Sequence, residues 1–156
     1  MAVIADVPTI LDRLDAINQL IPNLRSERFF PTSVDGRMPL ITAYPGRELT
    51  RQDSEDLQHP TEEFFLVAYV GNFSMGVPTE TALRNAEAII KPVKDTYRER
   101  KKLQLVLRSP DLNVGALPGI WRADLGAHTG IIPENPDLQK PLAIIRWTLT
   151  VQTIES

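Results

Sequence analysis

The sequence predicts an α+β fold. A single domain spanning residues 1–156 would carry a mixed or antiparallel sheet of about four to five strands, two main α-helices packed on it, and a long polar loop. Three observations lead there. Two segments repeat apolar residues at spacings of three and four, and several shorter runs are apolar throughout or alternate. No internal repeat or dividing linker interrupts them.

The first helical stripe places Val7, Ile10, Leu11, Leu14, Ile17 and Ile21 on one face, with Asp12, Arg13, Asp15 and Gln19 opposite. Asp6 and Pro8 suit its first turn, and Pro22 ends it. Phe29 and Phe30 then cover a core edge. "MPLITAYP" (Met38–Pro45) reads as a strand between prolines. "FFLVAYVG" (Phe64–Gly71) is apolar on both alternating faces, as a central strand covered on both sides must be, and Gly71-Asn72 ends it. A second helix starts near Pro78, with Ala82, Leu83, Ala86, Ile89, Ile90, Val93 and Tyr97 at helical spacing. Ala82 and Ala86 are small enough to bring it close to a sheet. Pro92 predicts a kink or an early end, because a proline inside a helix costs about 3 kcal/mol. The basic run "KDTYRERKK" suits a helix C-terminus.

Three further strands complete the set. "LQLVL" (Leu103–Leu107) is one, and "GIWRADLGAHTGII" (Gly119–Ile132) is an irregular edge strand with Trp121, Ala123 and Leu125 on one side. After the rigid polar turn "PENPDLQKP" comes "LAIIRWTLTVQTI". There Ile145, Trp147, Leu149 and Val151 face one way and Arg146, Thr148, Thr150 and Gln152 the other. The thirteen prolines, against eight glycines, sit mainly at segment edges and mark boundaries rather than a polyproline ligand.

Composition narrows the function. A net charge of −3 argues against a sequence-specific nucleic-acid partner. The absence of cysteine removes disulfide scaffolds, thiol nucleophiles and thiolate metal sites. The N-terminal "MAVIADVPTILDRLDAI" has neither the basic region nor the apolar core of a signal peptide. No window reaches the roughly 18 apolar residues of a membrane span, so a soluble chain in the cytoplasm is expected.

Catalytic signatures are weak. His59 and His128 are the only histidines, and their spacing from Asp124 or Glu55 matches no common metal motif. Glu48, Asp53, Glu55, Asp56, Glu62 and Glu63 cluster in a polar stretch without calcium-loop spacing. "GNFSMGVP" lacks the ending of a phosphate-binding loop, and Ser74 and Ser109 lie in no nucleophile elbow. The expectation is a non-enzyme with no catalytic residue, no cofactor and no metal. The other reading is a small hydrolase or ligand-binding α/β domain using His128 and Asp124, with the polar segment as its lid.

That segment, "YPGRELTRQDSEDLQHPTEEF" (Tyr44–Phe64), spans about twenty residues where compact domains use roughly four to six. It is expected to project as a loop between strands at Pro39–Tyr44 and Phe64–Val70. Arg47, Glu48, Arg51, Asp53, Glu55 and Asp56 give it both signs of charge and make it the candidate oligomer and partner interface.

The layout carried by "VPTILDRLDAINQLI", "PLITAYPG", "EEFFLVAYVG", "PTETALRNAEAIIKPV" and "LAIIRWTLTVQTI" resembles the tail terminator (tail-to-head joining) proteins of lambda-like long-tailed bacteriophages and prophages. The resemblance covers nearly the whole chain and is one of layout, without residue-level motifs. It implies a homo-oligomeric, hexameric ring in the virion tail or neck, assembled in the host cytoplasm. Such a ring caps the tail tube, stops its polymerisation and joins it to the head-tail connector proteins. A head-closure or tail-completion protein of the same neck is the alternative within that setting. A bacterial protein built on an adapted tail module is another.

Overall fold

The computed structural model describes residues 7–28, 38–52, 58–98, 120–135 and 141–153 of the chain. The architecture is α+β, and the described residues form two helices and a mixed seven-stranded sheet. The main strand order is β1-β2-β3-β7-β5, where β1 is Arg25–Glu27, β2 Leu40–Gln52, β3 Gln58–Ser74, β5 Ile120–His128 and β7 Leu142–Thr153. Two short strands, β4 (Val77–Pro78) and β6 (Ile132–Pro133), pair with β3 and β7. Among the described residues β1 runs parallel to its neighbour and the other pairings are antiparallel.

Helix α1 (Val7–Asn18) and helix α2 (Glu80–Arg98) both pack on one face of this sheet. Ile10, Leu11, Leu14 and Ile17 of α1 and Ala82, Ala86, Ile89, Val93 and Tyr97 of α2 are buried there. They meet Ile41, Phe64, Leu66, Ala68, Ile145, Trp147 and Leu149. These are alternate residues of β2, β3 and β7, as the period of two requires. Residues of the opposite phase, Leu40, Val67, Tyr69 and Ile144, form a second apolar cluster on the other face. Strand β3 is thus buried on both sides, which explains its unbroken apolar run.

Helix α2 lies unusually near the sheet. A Cβ placed on Gly71 would sit 2.8 Å from Ala82 Cβ and 2.9 Å from Ala82 Cα, so the approach depends on a missing side chain meeting a small one. Thr79 caps the helix, its Oγ1 accepting from Ala82 N at 3.2 Å. Asn85 donates to the Val70 carbonyl at 2.7 Å, beside the register shift between Tyr69 and Gly71.

Four sequence-based expectations are corrected. Pro92 does not end α2, which continues to Arg98. The lost hydrogen bond would have gone to the carbonyl of exposed Ala88, where water is at hand, while Ile89, Val93 and Tyr97 hold the helix to the sheet. Arg13 is not on the solvent face but only 3% exposed, because it lies three residues after Ile10 and four before Ile17, on the seam of the buried stripe. Strand β3 does not end at Gly71-Asn72 but passes through the irregularity to Ser74. The long polar loop is mostly a hairpin: β2 and β3 stay paired from Leu40↔Tyr69 out to Gln52↔Gln58, leaving residues 53–57 as the connection. Polar composition suggested a loop, but an antiparallel ribbon can be as polar as a loop.

The irregular strand at Gly119–Ile132 is seen as β5 and β6, with register shifts at Ile120/Arg122 and Leu125/His128. Phe29, Phe30 and the strand expected at Leu103–Leu107 lie outside the described residues.

Candidate interaction surface

The β2–β3 hairpin outgrows the sheet that supports it. Strand β7 accompanies β3 only as far as Thr61↔Gln152, whereas β2 and β3 remain paired through Thr50↔Pro60, Arg51↔His59 and Gln52↔Gln58. Among the described residues, these outer positions pair only with each other. The arm starts at a register shift between Pro45 and Glu48, an irregularity that bends and twists a ribbon. Gly46 belongs there because a Cβ would meet Phe65 Cε2 at 2.8 Å and the Glu63 carbonyl at 3.0 Å.

Three of the six candidate interface residues fall on the described part of this arm. Arg47 stands at its base, its side chain 78% exposed, with Nε 3.7 Å from Oε1 of Glu63, which is 12% exposed. Glu48 is paired in register with Glu62, and Arg51 with His59. Asp53, Glu55 and Asp56 lie outside the described residues, in the connection between the two strand ends. The arm therefore brings Glu48 and Arg51 onto one ribbon and leaves Arg47 at the join with the sheet.

Next to that join, on the face opposite α1 and α2, lies a group that the candidate set omitted. Tyr44 and Phe65, paired across β2 and β3, have ring centroids 5.4 Å apart. The guanidinium of Arg146 on β7 lies over the Phe65 ring, 4.9 Å from its centroid, a cation–π arrangement. Among the described residues, buried Arg146 Nε has no hydrogen-bond partner. In the same cross-strand row (Thr42↔Val67↔Arg146), Thr42 Oγ1 is also buried without one among the described residues. The phase of β7 put Arg146 on the polar face from sequence, but pairing it with Phe65 required the register.

At the opposite end of β3, Ser74↔Val77 closes a two-residue turn with Met75 at φ 54° and Gly76 at φ 81°. Two positive angles make a type I′ geometry, and Met75 is 96% exposed on it.

The residues considered for catalysis are placed differently. His128 Nδ1 accepts from Gly130 N at 2.9 Å, and its ring meets Trp147 edge-on at 6.0 Å. A cavity of about 240 Å³ between α2 and β5 is lined by Ile90, Lys94, Leu125, His128 and Trp147. Asp124 pairs in register with Thr150, four residues along β5 from His128. Among the described residues, no group of three or more histidine or carboxylate side chains is placed to hold a metal ion. Among them, too, no helix is long and apolar enough to cross a membrane.

Comparison with protein-family models and with curated proteins finds no match for this chain.

Proposed function

We propose that this protein is a ring-forming tail terminator of a long-tailed bacteriophage or prophage, capping the tail tube and offering a surface to the head-tail connector. The observation that carries the reading is the self-paired arm, extended from a sheet whose core is closed by two helices on one face. A cyclic assembly needs two unlike surfaces that meet head-to-tail. A projecting ribbon with charges of both signs, and a sheet face bearing Tyr44, Phe65 and Arg146, provide two such surfaces at different places on one subunit.

In this reading the copies form a hexameric homo-oligomer, with the tail tube protein on one side and connector proteins on the other. No chemistry is required of it. Negative-stain images of the purified protein are expected to show a hollow ring, and light scattering a matching mass. A monomer under all conditions, which also leaves tube length uncontrolled in an assembly assay, would remove the terminator reading.

A further inference from the structure

We infer that the cavity between α2 and β5 is a binding site for a small carboxylate with an aromatic or branched apolar body. This site and the ring assembly stand or fall separately.

A bulge in β5 builds the site. From Leu125↔Leu149 to His128↔Trp147, three steps along β5 match two along β7. The extra residue keeps His128 on the side of Leu125 and Trp147, facing α2, where strict alternation would turn it away. Gly126 permits the tight passage, since a Cβ there would lie 3.0 Å from the Thr148 carbonyl. Across the gap, Ile90 and Lys94 stand one turn apart on α2. Ile90, Leu125 and Trp147 supply apolar walls to the space of about 240 Å³. A cavity of about 150 Å³ holds one benzene ring, so this one takes a ring or short branched chain with a small head group.

The polar lining has a single character. Among the described lining residues, Lys94, His128 and the indole of Trp147 supply the polar side-chain atoms, with no carboxylate, amide or hydroxyl. His128 Nδ1 accepts from Gly130 N at 2.9 Å, so in the neutral imidazole the proton sits on Nε2, a donor. Lys94 brings an ammonium. Ile90, Lys91, Tyr97 and Arg98 occupy the helical spacings around it, and none is a carboxylate. Neighbouring Asp95 meets Lys91 instead, at 3.7 Å. Donors that include a cation, set beside apolar walls, match a carboxylate, whose two oxygens only accept. An inorganic anion would leave the walls unfilled, and a neutral ring would leave Lys94 without a counter-charge.

The chain's two tryptophans allow a direct test. In the full chain carrying Trp121→Phe, Trp147 fluorescence is followed while benzoate is added, and separately benzamide, which has the same shape without the charge. Calorimetric titration of the unaltered chain gives the same comparison without any substitution. Benzoate is expected to saturate its signal, and benzamide to bind at least about tenfold more weakly. Lys94→Met should weaken benzoate by a similar factor and leave benzamide unchanged, whereas Lys94→Arg retains benzoate binding. Circular dichroism confirms that each variant is folded. Absence of a saturable response to benzoate, equal affinity for the two probes, or benzoate binding untouched by Lys94→Met overturns the site. Saturation by an acidic peptide with no response to benzoate overturns it as well, in favour of a protein partner. Ring formation is read apart from all of these, by light scattering.

Discussion

The phenol of Tyr97 on α2 donates a 2.6 Å hydrogen bond to Oδ1 of Asn18 at the end of α1, inside the core, where both residues are buried. It ties together the two helices that share one sheet face. Burial, with Asp15 nearby, pushes the Tyr97 hydroxyl above its ordinary value, so it remains a donor. Among the described residues Asn18 Nδ2 has no partner, so the bond at Oδ1 is the contact seen there to offset the side chain's burial. Tyr97→Phe is expected to lower stability by about 1–3 kcal/mol in urea denaturation. Adding Asn18→Leu should recover part of that loss. A double variant weaker than the sum of both singles would show that the bond is not the main term.

The close approach of α2 to β3 gives a second prediction. Gly71→Ala puts a methyl group into the space held by Ala82, against both its Cβ and its backbone. The expected loss is about 1–3 kcal/mol, through displacement of the helix. A thermal midpoint equal to that of the native chain would contradict it.

Met75 occupies a left-handed position that suits asparagine or glycine, and its exposed side chain packs on little. Met75→Asn is expected to raise stability by a fraction of the roughly 1–2 kcal/mol that such a backbone costs an ordinary residue. Chemical denaturation should move its midpoint upward. A downward shift would mean that the methionine makes a stabilising contact.

The arm should be separable from the fold. Replacing Thr50–Pro60 with Asn-Gly joins Leu49 to Thr61, which are already paired, and removes only positions beyond the reach of β7. The shortened chain is expected to keep its circular dichroism spectrum and melt cooperatively while losing self-association. Loss of cooperative melting would place the arm in the folding core.

Glu134 carries a pH dependence. Its carboxyl is raised above the ordinary value of 4.5 by desolvation, so the folded state favours its protonated form. That contribution is complete below the unfolded value and is lost as pH rises through the folded one. Glu134→Gln cannot ionise, so the variant should gain stability relative to the native chain between about pH 4 and pH 7. Parallel denaturation curves at both pH values test this, and a constant difference would refute it.

The candidate surface was legible only in part. The polar composition of the segment around Arg47, Glu48 and Arg51 read as a loop and concealed that it is paired strand. Alternation in β7 was plain, and it placed Arg146 on the correct side. Its stacking on Phe65 was invisible, because the two residues lie far apart in the chain and meet only through the register of β3 against β7.

By itself the sequence determined what repeats locally: the helical stripes that run through Ile17 and Tyr97, the two-faced apolar run of β3, and the alternation of β7. Those patterns are written in neighbouring residues, since a helix or strand exposes its period every few positions. Tertiary structure decided the passage of α2 through Pro92, the burial of Arg13, the length of the arm, and the grouping of Tyr44, Phe65 and Arg146. Each depends on what a distant segment supplies: a sheet to hold a helix, a strand to pair with, or a ring beneath a cation. Such partners are chosen by packing and register, which no local period encodes.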